Sequence, residues 1–387
     1  MAKEENKSNK KFIYIVIWVI ILIVFCFLAS SEKNPIGFQV KKILAENGNV
    51  DAQNLLGYMY ATGNGVEKDY VEAFKWYSKS AEKGNSKGQN ALGVMYNNGY
   101  GVEKNPAKAF EYYKKSAEQG NDLAQSNIGD MYNEGDDVVK QDKKEAIKWY
   151  KKAAENGNAQ AQYCLAYRYC LGEDIEKNPT EALNWYEKSA KQGFPPSIYE
   201  LGVLYYKGEV VKQDKKKAFE LIKKAASEGE ERAQYDLAMM YYYEDPVKGK
   251  KQESVKWLKK AAEAGVDLAQ HNLGRMYLLG ECVNSDYDES FKWFWILAQK
   301  GNPSGQNSVG VMYKNGFGVN KNLEEAVKWF KKSAEQSDPL GQKNLADMYY
   351  NGEGVKQDKK EAIKWYKKSA EQGNEDAKEA LEKMGEK

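Results

Sequence analysis

The chain has 387 residues, with 58 Lys and Arg against 56 Asp and Glu, a net charge of +2 and 13% aromatic side chains. The near balance of charge excludes the concentrated basic surface of an ordinary nucleic-acid binder, and so much aromatic content excludes a disordered tail protein. One His and four scattered Cys leave little material for His-based catalysis, a metal centre or a disulfide framework, and no cofactor is expected.

The first predicted element is apolar. Residues 12–29 run for eighteen apolar or aromatic positions without a charge. At 1.5 Å per residue they span about 27 Å, close to the hydrocarbon thickness of a bilayer. A signal peptide carries a shorter apolar stretch of about 7–15 residues. The segment therefore predicts a retained transmembrane anchor, with cleavage near Ala29-Ser30-Ser31 as the alternative. Four lysines precede it (Lys3, Lys7, Lys10, Lys11) and three follow soon after (Lys33, Lys41, Lys42). With Lys10-Lys11 abutting the membrane and a short tail, the expected topology is a single-pass membrane protein with its N-terminus in the cytoplasm. The rest would be extracytoplasmic, periplasmic or extracellular; reversed topology is the competing arrangement.

Beyond the anchor the chain repeats itself every 36 residues, with one inserted residue near Asp136-Asp137-Val138. A small residue opens each unit (Ala52, Gly88, Ala124, Ala161, Ser197, Ala233, Ala269, Gly305, Gly341), and a tyrosine follows eight positions later in all nine, from Tyr60 to Tyr349. In the first unit Ala52, Leu56, Met59 and Tyr60 lie at helical spacing, and Gly63 suits the left-handed end of a helix. Asp69 and Glu72 then read as a capping box for a second helix, which buries Ala73, Phe74, Trp76, Tyr77 and Ala81 and ends at Gly84. The box recurs at Asp142/Glu145, Asn178/Glu181, Asp286/Glu289, Asn322/Glu325 and Asp358/Glu361, and Pro106 and Pro179 occupy first helical positions. Each unit thus predicts a hairpin of an 11- and a 14-residue helix that becomes stable by stacking on its neighbours. The expected organisation is an N-terminal tail 1–11, a transmembrane anchor 12–29, a linker and N-terminal capping helix 30–48, nine repeats 49–376 and a C-terminal capping helix 377–387.

The run Ala-Gln-Asn-Leu-Leu-Gly-Tyr-Met-Tyr, followed by Gly-Asn-Gly-Val, Trp-Tyr and Ala-Glu-Lys-Gly-Asn within 52–85, resembles the Sel-1-like repeat (SLR), a relative of the tetratricopeptide repeat. The likeness covers about 330 residues; Glu244-Asp-Pro-Val247 replaces the usual turn in unit six, and Ser337 replaces a glycine in unit eight. The resemblance implies a right-handed superhelix acting as a protein-interaction scaffold, often in bacterial envelopes or signalling assemblies, with no catalytic set. The fold class expected is therefore all-α, a right-handed α-solenoid of helix-turn-helix repeats preceded by one transmembrane helix.

Chemistry has few footholds. The Gly-x-Gly elements, such as Gly63/Gly65 and Gly316/Gly318, follow helices and not strands, so they read as turns. Cys164, Cys170 and Cys282 lack metal spacing, and His271 falls on the exposed side of a first helix beside Arg275. A Ser-x-x-Lys match at Ser80–Lys83 has no Ser-Asp-Asn or Lys-Thr-Gly companion. An envelope hydrolase of the β-lactamase or peptidoglycan-processing kind is kept as the alternative to a non-enzymatic scaffold.

Columns that vary between repeats are free to bind. On the first helix, the columns of residues 54, 58 and 61 oppose the buried stripe. In unit four they hold Tyr163, Tyr167 and Cys170; in unit five Tyr199, Val203 and Tyr206; in unit six Tyr235, Met239 and Tyr242. Tyrosine combines large apolar area with a polar tip and is enriched in binding hot spots. The strip predicts a site for a protein partner or an extended peptide segment, and Glu200 and Asp236 at its border suit apolar residues flanked by Lys or Arg. The alternative is that these rings pack against neighbouring first helices. The residues leave the oligomeric state open.

Overall fold

The computed structural model describes residues 35–243 and 250–386. The tail, the apolar segment 12–29 and the linker as far as residue 34 lie outside the described residues, as does the substituted turn at 244–247. Among the described residues there are twenty helices and no strand. The described residues fall into two compact units that divide between residues 194 and 195, each a stretch of α-solenoid built of stacked helical hairpins.

The expected localisation needs correction. Among the described residues no helix is long and apolar enough to cross a membrane. The repeat helices are 13 residues long, for example Val50–Thr62 and Tyr70–Glu82. That length spans only about 20 Å, short of the roughly 30 Å hydrocarbon core. Single-pass membrane localisation is accordingly withdrawn.

Both helices of the hairpin are 13 residues, not 11 and 14, because each is stopped by specific chemistry. In six of the nine repeats the first helix begins at an Asn or Asp whose side chain accepts the N–H three residues on, as in Asn49 from Ala52, Asn85 from Gly88, Asn121 from Ala124 and Asp338 from Gly341. Such a cap contributes about 1 kcal/mol. It ends at a glycine in the left-handed region, such as Gly63 at φ 76°. The second helix starts on the expected Asp or Asn cap, Asp69 accepting from Val71 and Glu72 N–H.

The second half of the expected capping box forms differently. The N–H of the cap donates to the carbonyl of the repeat's invariant tyrosine, as in Asp69 to Tyr60 at 2.9 Å, Asn178 to Tyr169 at 2.9 Å and Asp358 to Tyr349 at 2.9 Å. With that N–H taken, the glutamate pairs instead with a lysine three residues later, as Glu72 does with Lys75 and Glu325 with Lys328. These exposed pairs add little stability.

Packing repeats as faithfully as the caps. In repeats two, three, six and eight the tyrosine meets a phenylalanine ring of the preceding second helix edge-on, as in Phe74–Tyr96 and Phe291–Tyr313, with centroids 5.5 and 5.7 Å apart. Phe38, on the helix Pro35–Glu46 that precedes the first repeat, meets Tyr60 in the same way. Within a hairpin, Gly57, Gly93, Gly129, Gly274 and Gly310 let an aromatic ring of the second helix lie flat on the first. A Cβ at Gly310 would sit 2.6 Å from two Phe330 ring carbons. That ring reaches on to the core methionine of the following repeat: Tyr77 clusters with Met95, Phe294 with Met312 and Phe330 with Met348.

A buried glutamine ties successive repeats together. Gln89 Nε2 donates to Ala81 O at 3.4 Å and Gln162 Nε2 to Ala154 O at 2.9 Å. Its own Oε1 accepts from an amide at the end of the same hairpin: Gln119 to Gln89 at 2.7 Å, Asn156 to Gln125 at 2.9 Å, Gln336 to Gln306 at 2.8 Å. Where that amide is replaced by Lys83, Ala264 or Lys300, the Oε1 atoms of Gln53, Gln234 and Gln270 are buried without a donor.

Candidate protein-docking site

The first-helix column of residue 54 is a seam and not a free face. Side chains in it meet the next position of the following repeat: Asn127 donates to Asn90 Oδ1 at 3.0 Å, and Asn344 to Asn307 Oδ1 at 2.8 Å. Tyr199 donates through its hydroxyl to Asp236 Oδ2 at 2.8 Å, and Asn272 donates to the Tyr235 hydroxyl at 3.2 Å. Tyr199 and Tyr235 are therefore half-buried, because adjacent first helices approach closely enough for their side chains to bond. His271, in the same column, is half-buried too, its ring 5.7 Å from that of Phe294. Burial, with Arg275 nearby, holds its pKa below the usual value.

In the second unit the candidates are partly gathered and partly separated. Tyr199, Val203 and Tyr206 lie on the first helix of repeat five (Pro195–Lys207), and Met239 on the first helix of repeat six (Glu231–Tyr243). Together they line a cavity of ≈ 440 Å³, to which Ile222 and Tyr243 also contribute. Tyr235 and Tyr242 do not line it. Tyr242 stacks edge-on against Tyr243 at 4.4 Å, while Tyr243 itself is 61% exposed.

Charge is arranged around this cavity. Asp236 faces it, and burial pushes its carboxyl above the usual range against the lowering pull of the Tyr199 hydroxyl and Arg232. Burial first, and Asp236 second, raise the Tyr199 phenol. Arg232 lies 4.7 Å over the Tyr199 ring and pairs with Glu200 and Glu230, both at 2.8 Å. Burial raises Glu200 as well, with Arg232 opposing.

Ile222 is the residue that sequence reasoning passed over. It stands where the second helix otherwise carries Tyr77, Tyr113, Tyr150, Tyr186, Phe294, Phe330 or Tyr366. In seven repeats a ring therefore fills this position, and repeat six sets Leu258 opposite Ala238. Repeat five combines Gly202 with a branched aliphatic side chain, the Ile222 Cγ1 lying 2.7 Å from where a Gly202 Cβ would be. The rest of the ring's space is left open, so Ile222 and the core residue Met240 both border a cavity. A search for columns that lose an aromatic residue, and not only for columns that gain one, finds this site.

The remaining candidates belong to the first unit. Tyr163 is packed among Tyr167, Tyr186 and Phe194, with centroids 6.4, 5.9 and 5.7 Å away; Tyr167 is 42% exposed. Both border a separate cavity of ≈ 400 Å³ with Cys164, Arg168 and Lys143. Cys170 does not line it.

Arg168 occupies the column that holds buried methionine at Met59, Met95, Met276, Met312 and Met348. Its side chain is only 12% exposed, and it donates to Asn133 Oδ1 at 2.5 Å. The charge is answered by Asp174, 3.6 Å from Arg168 and 3.7 Å from Lys143. Asp174 sits at φ 59°, at a turn position where other repeats use Gly101, Gly318 or Gly354. Burial pushes the neighbouring Cys164 thiol up to about 11, which keeps it protonated and unreactive at neutral pH.

The Ser-x-x-Lys match is structural. Ser80 is fully buried and donates to Val50 O at 3.1 Å, and Lys83 donates to Gly48 O at 2.7 Å. Ser116, Ser189 and Ser369 make the same hydroxyl-to-carbonyl bond in their own repeats. Among the described residues no group of three or more His, Cys, Asp or Glu is placed to hold a metal ion.

The fold and this site define a helical-repeat protein whose hairpins leave side-chain cavities at positions where the repeat is broken. The chain belongs to the Sel1 repeat family, whose model matches residues 50–85, 86–121, 122–158, 159–194, 195–230, 231–266, 267–302, 303–338 and 339–374. It is similar to a protective antigen present in uropathogenic Escherichia coli strains displaying an SLR fold, at 32% identity over 87% of this chain and 72% of that one, with a TM-score of 0.67. It is also similar to a Sel1 repeat protein from Oxalobacter formigenes, at 32% identity over 59% of this chain and 99% of that one, with a TM-score of 0.54. A search of curated proteins finds no match.

Proposed function

We propose that this Sel1 repeat chain is a scaffold that docks a protein partner, and that the cavity shared by repeats five and six is a contact site. The observation that carries the reading is the ≈ 440 Å³ cavity lined by Tyr199, Tyr206, Met239 and Tyr243. Aromatic and thioether side chains offer large, adaptable apolar area, and a partner gains most from burying a side chain in such a recess. Tyr163 and Tyr167 at the first unit's cavity are a second candidate contact for the same partner or for an extended peptide.

A photo-crosslinking residue tests the reading in the native host. Placed at position 243, at the cavity, it is expected to capture a discrete partner protein. Placed at exposed Lys259 on a second helix, it is expected to capture none. Equal capture from both positions would defeat the docking site.

A further inference from the structure

We infer that the cavity of repeats five and six receives a phenylalanine side chain of the docked partner, seated in the ring position that seven repeats fill from their own second helix. The inference rests on the docking reading and specifies its anchor.

Three observations carry it. First, the vacancy has a known shape. At the equivalent place in repeat eight, the Phe330 ring lies against Gly310 and clusters with Met348 of the next repeat. Repeat five keeps the glycine (Gly202) and the following methionine (Met240) but supplies only Ile222 between them. Ile222 covers Gly202, its Cγ1 2.7 Å from where a Cβ would stand, and Val203 and Met240 bound the space beyond it that a ring reaches elsewhere.

Second, the walls suit an aromatic occupant. Tyr199, Tyr206 and Met239 line the recess, and aromatic and thioether groups favour edge or offset contact with another ring. A volume of ≈ 440 Å³ also falls within the roughly 300–1,000 Å³ of ordinary binding pockets.

Third, the polar groups favour phenylalanine over tyrosine. Where the repeat's own ring is a tyrosine, its hydroxyl can donate to a first-helix aspartate: Tyr150 to Asp130 and Tyr366 to Asp347, both at 2.6 Å. The corresponding residue of repeat five is Val203, which accepts nothing, just as Val311 accompanies Phe330 in repeat eight. Asp236, the carboxylate facing the cavity, stands in the next repeat and in a different column from Asp130 and Asp347, and its Oδ2 is engaged by the Tyr199 hydroxyl at 2.8 Å. A buried phenol without an acceptor would lose the hydrogen bonds it makes in water.

The test uses the full chain and ligand-observed NMR with three probes: N-acetyl-phenylalanine amide, N-acetyl-tyrosine amide and N-acetyl-alanine amide. The native chain is expected to bind the phenylalanine probe at least several-fold more tightly than the tyrosine probe, with no measurable binding of the alanine probe. Ile222→Phe supplies the ring from within and should weaken the phenylalanine probe at least tenfold. Ile222→Leu, which leaves the recess open, should retain it. Met239→Trp blocks the recess from the facing helix and should also abolish binding, so the outcome does not hinge on the folding of the first variant. Undiminished phenylalanine binding by both blocked variants overturns the assignment, as does a native chain that prefers the tyrosine or alanine probe. A chain that crosslinks its partner from position 243 yet ignores the phenylalanine probe keeps the docking reading and loses the anchor. Failure to crosslink from position 243 removes the docking reading itself.

Discussion

Repeats eight and five are the same hairpin with different contents. In repeat eight Gly310, Phe330 and the Met348 that follows close into a core in which Phe330 and Met348 are fully buried. In repeat five Gly202, Ile222 and Met240 occupy the same positions, and Ile222 and Met240 line a cavity of ≈ 440 Å³. The helices begin and end at equivalent residues in both, Pro303–Asn315 and Leu323–Glu335 against Pro195–Lys207 and Lys215–Ser227. The backbone therefore tolerates loss of a core ring because caps, glycine stops and neighbouring seams hold the hairpin independently of that ring. A repeat protein can open a recess at one seam and leave the others intact, since each repeat contacts only its neighbours.

The largest test is to make repeat eight resemble repeat five. Phe330→Ile should destabilise the chain by about 2–3 kcal/mol in a denaturant melt, the transfer loss plus the cavity left behind. A loss under about 1 kcal/mol would mean that the seam collapses to refill the space, and that the recess of repeat five needs another cause.

A smaller effect concerns the glutamine bridge. Gln336→Ala removes the amide that satisfies Gln306 Oε1 and should cost about 1–2 kcal/mol. Ala264→Gln offers the missing donor to Gln234 and should gain about 1 kcal/mol in the same melt. No gain from Ala264→Gln would show that water already satisfies Gln234.

The smallest effect is in pH. Burial raises the Asp236 carboxyl in the folded chain above its unfolded value. The folded state then holds that proton more tightly, so Asp236 lowers stability at neutral pH and the deficit shrinks as pH falls through the raised pKa. Asp236→Asn should flatten that part of the stability curve between pH 7 and about 4, read as melting temperature against pH. An unchanged slope would place the titration on Glu200 or Asp130, both also raised by burial.

Most of the hairpin was legible because its signals are local. A period of 36, the Asp69-type caps, Gly63-type stops and the buried column of Leu56 and Met59 all depend on residues within one or two turns. The cap's second hydrogen bond was misread because its acceptor, the Tyr60 carbonyl, belongs to the other helix of the hairpin. The tyrosine strip was half legible. Tyr199, Tyr206 and Met239 do meet at one cavity, whereas Tyr235 bonds into a seam and Tyr163 sits among rings of its own unit. A helical wheel shows which side of one helix faces its hairpin partner, but it contains no information about the next repeat.

Sequence by itself determined that this chain is a succession of helical hairpins, because capping, helix termination and apolar spacing act over a few residues and the unit that carries them recurs nine times. Tertiary structure alone decided which variable side chains remain accessible. That depends on how closely first helices of successive repeats approach, and on whether a ring such as Phe330, or an isoleucine such as Ile222, stands between a glycine and the next methionine. Those residues lie about twenty positions apart on either side, and only packing brings them together.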